Sequence, residues 1–245
     1  MNGITIHPVL EARFALDGGA MFGVVPKPLW ERTNPSDDAN RIELGARCLL
    51  IRHPDAGNIL VDVGIGDKWD DKGRGIYKIR HEDDLAGGGG LGLECGLAAH
   101  GLGLDDIDHV VFTHLHFDHA GGATRLRDGV LHPTFAGRPH YVMREHWAWA
   151  NCPSERDAGS FRRQDFGVFE DDPDAAPLVL LDGQCELFEG VTLIPRWGHT
   201  PAMSCVLVEA QDNTYIYLAD LIPTSGHVKI PYVMGYDLNP MTTCR

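Results

Sequence analysis

Three histidines and an aspartate fall within six residues, His114, His116, Asp118 and His119, directly after the apolar run Val110-Val111-Phe112. Such groups are poorly placed in an ordinary core, whereas one or two cations such as Zn²⁺ or Fe²⁺ satisfy them all. His114 and His116, two apart on an extended segment, can point to the same side. Joined by His199, from Trp197-Gly198-His199-Thr200-Pro201, they would form a three-imidazole site with an open position for water. Asp118 and His119 lie across the turn and can hold a second cation, and the carboxylate of Asp220 can bridge the two. Metals about 3.5 Å apart sharing a hydroxide would supply a nucleophile near neutral pH, since the pKa of bound water can fall to about 7. The pair would also polarise a carbonyl or phosphoryl oxygen, and Asp118 could pass a proton to the leaving group.

These residues need strands that end together. Residues 8–16 read as a strand, followed by turn chemistry at Asp17-Gly18-Gly19. Residues 20–30 are apolar but broken by Pro26 and Pro28, which predicts a packed loop or an apolar lip over a pocket. Under the second reading Met21, Phe22 and Trp30 are candidate substrate contacts. Runs 41–52 and 58–62 predict a hairpin across His53-Pro54-Asp55-Ala56-Gly57, ending at Asp62. A carboxylate there must accept hydrogen bonds to be buried, and bracing a neighbouring loop is preferred over direct ligation. Gly87 to Gly90 reads as a flexible connection. Residues 91–100 predict a helix stopped by Gly101, followed by a buried strand into the histidine loop. Residues 123–127 are helix-compatible, 140–143 a strand, 144–150 a helix start, and 151–177 a polar surface excursion. Short strands follow at 178–181, 185–188 and 191–195, then 203–209 and 214–218. Helix followed by parallel strand predicts a layered α/β arrangement with its site beyond the strand ends. His7, His53, His81, His100, His132 and His140 read as solvated, as do His109 and His146 with more scope for a structural hydrogen bond.

Composition narrows the function. With 245 residues and no linker-like step, the chain reads as a single domain, 1–245. A formal charge of -14 argues against nucleic acid and anionic membrane surfaces. No apolar run approaches the roughly 18 residues of a spanning helix, and no secretory signal is visible, which makes the cytoplasm the expected location. The six cysteines are scattered without a C-x-x-C pair and read as reduced thiols, with Cys48 and Cys205 in the core.

The loop resembles the defining H-x-H-x-D-H sequence of the metallo-β-lactamase-fold hydrolases, present as His114, His116, Asp118 and His119. The resemblance covers nearly the whole chain. It implies an αββα sandwich, two Zn²⁺ ions with His199 and Asp220 as further ligands, and Asp62 as the aspartate that braces the loop. A closer resemblance, to the branch of quorum-quenching N-acyl-homoserine lactonases and related esterase or organophosphate hydrolases, rests on residues 17–23, 62–69 and 220–227. It implies a dinuclear zinc hydrolase that opens a lactone or cleaves a carboxylic ester with a hydrophobic acyl group. Fe or Mn in place of Zn, and a homodimer, are left open. Other readings that use the same loop are a phosphotriester hydrolase, a mononuclear iron oxygenase of the persulfide dioxygenase type, and a catalytically impaired metal-binding domain.

Two departures accompany this resemblance. Some lactonases carry a tyrosine shortly after the bridging aspartate, where this chain has Ile222, Pro223 and Thr224. The family's last ligand is a later histidine, yet after Asp220 only His227 remains. His227 is therefore assigned to the pocket, the second zinc is expected to bind weakly, and a C-terminal helix and strand are expected to be missing.

Overall fold

The apolar runs form two sheets in the computed structural model, which describes residues 3–81, 92–210 and 213–245. In chain order the strands are β1 (Thr5–Asp17), β2 (Arg41–His53), β3 (Gly57–Val61), β4 (Arg80–His81), β5 (His109–Val111), β6 (Thr124–Arg127), β7 (Val130–Pro133), β8 (His140–Met143), β9 (Leu178–Leu181), β10 (Cys185–Phe188), β11 (Val191–Arg196), β12 (Met203–Ala210) and β13 (Asn213–Tyr217). The first sheet runs β4-β1-β2-β3-β5-β8-β9 and the second β10-β11-β12-β13, with β6-β7 a separate hairpin. Pairing is parallel from β3 through β5 and β8 to β9, which demands crossover connections.

Burial explains the layering. Ile51, Ile59, Val61 and Val111 of the first sheet meet Val191, Leu193, Val206 and Val208 of the second, all buried. On the other face of the first sheet, Leu97, Phe166 and Phe169 from the helices Gly92–Ala98, Arg163–Phe166 and Val168–Asp171 pack with Leu60, Val110 and Phe112. Each such side chain contributes about 1.5–3 kcal/mol of transfer free energy. This is the expected α/β layering. Nothing in it shows a missing C-terminal helix and strand. After β13 the chain runs on through Met234, which packs on Met21, Phe22 and Trp30, to a short helix at Pro240–Thr243.

Several local expectations need revision. Residues 20–30 are not one irregular loop: they fall largely in two short helices, Gly18–Phe22 and Lys27–Trp30, joined by a turn, with Met21 on the cavity wall. Asp17 caps the first by accepting from the Ala20 N–H at 2.8 Å, and Pro28 lies in the first turn of the second, where a missing N–H costs nothing. Residues 124–127 are a strand rather than a helix, because Asp128 and Gly129 both take positive φ and make the turn of a β-hairpin. The segment 151–177 is partly core through Phe166 and Phe169. His53, His81, His140 and His146 are buried, not solvated. The helix ahead of Gly101 ends as expected: Leu102 N–H reaches the Leu97 carbonyl and Gly101 N–H that of Ala98, with Gly101 left-handed. The Gly87 to Gly90 run lies outside the described residues.

Candidate metal centre

Strands β3, β5, β11 and β13 deliver their following residues to one rim. Asp62 follows β3, the stretch 113–119 follows β5, His199 follows β11 and Asp220 follows β13. The loops after β3 and β5 touch backbone to backbone. A Cβ on Gly66 would come within 2.3 Å of the Gly121 carbonyl oxygen, and one on Gly122 within 2.1 Å of that of Val63. Glycine is thus what allows the Val63 N–H to reach the His119 carbonyl at 2.8 Å.

Asp62 takes φ of 58°, in the left-handed region. From there Oδ1 accepts from the Thr113 N–H at 2.8 Å, and Oδ2 accepts from Thr113 Oγ1 and His119 Nδ1, both at 2.8 Å. Its carboxylate therefore fixes both the start and the end of the histidine loop. His114 Nδ1 meets Thr113 Oγ1 at 3.0 Å, and His199 Nδ1 meets Asp237 Oδ1 at 3.1 Å. Three imidazoles thus have their Nδ1 occupied by a protein oxygen, which leaves each Nε2 lone pair for the centre.

The Nε2 atoms converge. His199 Nε2 lies 3.1 Å from His116 Nδ1 and 3.3 Å from Asp220 Oδ2. His119 Nε2 lies 3.2 Å from Asp220 Oδ1 and 3.8 Å from Asp118 Oδ2. His114 Nε2 is buried, has no hydrogen-bond partner and stands 3.9 Å from Asp220 Oδ2. Two groups result, His114 with His116 and His199, and His114 with His119 and Asp220, each with its donor atoms within 4.8 Å of one another. Nitrogens about 2.0–2.1 Å from one tetrahedral ion lie about 3.3 Å apart, so the spacing fits cations. Burial first, then the neighbouring imidazoles, push His114 and His116 well below the usual histidine range, so both are neutral as ligands must be. Burial acts the same way on His119, but Asp220, Asp118 and Asp62 outweigh it and hold its pKa up. Asp220 is correspondingly lowered against burial by His119 and His199.

Two supporting residues were not assigned from the sequence. His146, fully buried, accepts from the Leu115 N–H at Nε2 (2.8 Å) and sits 2.9 Å from the Pro201 carbonyl at Nδ1, so it ties the histidine loop to the His199 loop. Its position just after the end of β8 was the available signal. Asp237 is 38 residues from His199 and carries no local pattern. Its second oxygen accepts from Thr243 Oγ1 at 2.8 Å.

Above the centre opens a cavity of about 860 Å³. His116, Asp118, His119, His199 and Asp220 line it together with Phe14, Leu16, Met21, Leu44 and Phe117. Phe22 and His227, expected to contact substrate, do not border it. Phe22 is stacked between Trp30 and His227, with centroids 5.2 and 4.3 Å away. His227 joins Met21's carbonyl at 2.8 Å and Thr224 Oγ1 at 2.8 Å, so both its nitrogens are committed to holding the cavity wall. It is in neither donor group.

Residues 41–242 match the family model of the metallo-beta-lactamase superfamily. A protein of Mycobacterium tuberculosis named as a probable metallo-hydrolase is 28% identical over 203 residues, 76% of this chain and 61% of that protein. The chain therefore spans about three fifths of that curated relative. A probable metal-dependent hydrolase from Staphylococcus aureus superposes with a TM-score of 0.88 at 29% identity, covering 100% of this chain and 83% of that one. A dizinc quorum-quenching lactonase in complex with a homoserine product gives a TM-score of 0.75 at 16% identity over 100% of this chain and 81% of its own, a likeness of fold.

Proposed function

The chain belongs to the metallo-beta-lactamase superfamily, and from that premise we propose that it is a metal-dependent hydrolase that opens a lactone or cleaves a carboxylic ester with an apolar acyl portion. The observation that carries this reading is the convergence of a three-histidine donor group and a histidine-carboxylate donor group at the base of a partly apolar cavity of about 860 Å³. His114, His116 and His199 would hold one ion, and Asp118, His119 and Asp220 a second, zinc being the first candidate for this donor chemistry. Such ions supply a water acidified to a pKa of about 7 and a Lewis acid for a carbonyl oxygen.

The chain's own residues do the rest. Asp62, Thr113 and Asp237 hold the imidazoles so that their lone pairs face inward. Phe14, Leu16, Leu44 and Phe117 offer an acyl chain a water-poor wall. Asp118 borders the cavity, and burial raises its pKa, so it can carry a proton to a departing alkoxide. Tyr236 also borders the cavity. Burial, then Asp17, Tyr77 and Asp118, push its phenol up to about 12, so it presents a hydroxyl donor to whatever enters.

The test is hydrolysis by metal-reconstituted protein of a panel of acyl lactones and aryl esters set against phosphotriesters, with metal content measured on the same sample. Turnover of lactones or carboxylic esters that disappears on chelation is the expected result. Phosphotriester cleavage without any ester or lactone cleavage would replace the reading with a phosphotriesterase. One iron per chain with oxygen uptake in the presence of a thiol persulfide would replace it with an oxygenase.

A further inference from the structure

Among the charged side chains that line the cavity, one has no polar partner among the described residues. Asp118 and Asp220 belong to the metal centre. Asp157 accepts from Trp149 Nε1 and Ser154 Oγ, both at 2.7 Å. Glu43 is held by Arg13 at 3.1 Å and by Arg80. Arg156 donates to the Gly235 carbonyl. Arg47 also lines the cavity, yet among the described residues its guanidinium makes no hydrogen bond or ion pair.

Its placement is fixed. Arg47 pairs with Leu10 across β1-β2 and shares a sheet face with Leu49, which packs between the sheets. Beyond Leu49 the inter-sheet core gives way to the cavity, so the same face brings Arg47 to its wall. Its main chain is pinned there by the Tyr217 hydroxyl, which donates to the Arg47 carbonyl. Its side chain lies over Gly45, where an added Cβ would meet Nε at 3.5 Å, so the missing side chain at Gly45 leaves it room. Leu44, Phe14 and Phe117 line the same cavity as Arg47 and the metal centre.

Resting on the ester or lactone hydrolase reading, we propose that Arg47 is a specificity-determining residue that binds a carboxylate at the far end of the substrate's acyl portion. The substrate class is then an ester or lactone of an acid that carries a second, terminal carboxylate. One free guanidinium offers a single two-pronged fork, the match for one carboxylate.

The experiment compares 4-nitrophenyl monoesters of adipic and suberic acids with 4-nitrophenyl hexanoate and octanoate on the metal-reconstituted chain. Wild type is expected to favour the acidic esters about tenfold in kcat/KM, through KM, with the preference shrinking at high salt. Arg47→Gln should collapse that ratio, and Arg47→Lys, which keeps the charge, should retain part of it. No preference in wild type, or a loss in Arg47→Gln that falls equally on both ester types, overturns the proposal. The corresponding 4-nitroanilides, read by calorimetry as non-hydrolysed ligands, separate this idea from the function it rests on. If no ester is cleaved, the hydrolase reading fails. Tighter binding of the acidic anilide, lost in Arg47→Gln, would still sustain the carboxylate site, and equal binding of both anilides would end it.

Discussion

The two halves of the metal centre, His114 with His116 and His199 on one side and His119 with Asp118 and Asp220 on the other, are supported differently. The three-imidazole half is almost wholly buried, with His114, His116 and His199 at 0%, 6% and 4% exposure. It is backed by three separate devices: Thr113 behind His114, Asp237 behind His199, and His146 tying their loops together. The carboxylate half borders the cavity, with the side chains of His119, Asp118 and Asp220 between 12% and 17% exposed. Its one imidazole leans on Asp62 alone. A buried, multiply braced set of imidazoles costs little reorganisation when it takes an ion. A half-open set that relies on ionised carboxylates must be organised by the ion itself. The comparison therefore predicts a tight first ion and a looser second, with the reacting groups on the looser side.

Breaking the buried half should have the largest effect. His114→Ala removes one of its three imidazoles and is expected to lower kcat/KM by about 10³-fold or more, with the first ion lost in metal analysis and the second retained. His116→Ala should behave alike. If either variant loses both ions, the two halves hold their ions jointly and their separate bracing is not what distinguishes them. Next in size is Asp62→Asn, where supporting residues of this kind typically change metal affinity by about 10–100-fold. The loss should fall mainly on the second ion, because only that half lacks another support. Equal weakening of both ions would show that Asp62 acts through Thr113 and the whole loop. Asp237→Asn is the mirror experiment, expected to cost about tenfold on the first ion alone, since Thr113 and His146 still hold the rest of that half.

The difference between the halves was only partly legible in the sequence. The histidine loop announced itself because its donors are local, and His199 and Asp220 could be found because each follows a strand-like run and the chemistry demanded partners. The layering was legible from the same runs. What supports the donors was not. Asp62 was found as a buried carboxylate at a strand end, but Asp237 becomes a support only when the C-terminal segment lies along the His199 loop, with Leu238 and Asn239 N–H groups on the His199 and Gly198 carbonyls. His146 looked like any polar residue opening a helix until the chain was folded. Phe22 and His227 misled for the converse reason. Their chemistry suits a pocket, and they do build one, but from behind its wall. The β6-β7 hairpin was readable from Asp128-Gly129 and was obscured by the short helix-compatible stretch before it.

The smallest effect tests whether acid sensitivity belongs to the centre or to the scaffold beneath it. His140 opens β8, fully buried between Phe112 and Phe169, with only the Pro177 and Arg138 backbone to offset the loss of water around its ring. Burial pushes its pKa down to about 4, against about 6.5 in an unfolded chain. Because the folded value is the lower one, the unfolded chain takes up the proton first. The neutral ring is fully accommodated above pH 6.5, and stability falls as pH drops from about 6.5 towards 4. By pH 5.5 the loss is about 1 kcal/mol. His140→Phe should remove this dependence, flattening the acid limb of a denaturation series run on chelated protein. Metal release with falling pH, measured on the same variant, should stay where it is in wild type and remain earlier for the second ion than for the first. If the variant instead shifts metal release and flattens stability together, the contrast between the two halves reflects the tightness of the underlying sheet, and their separate bracing is not its cause.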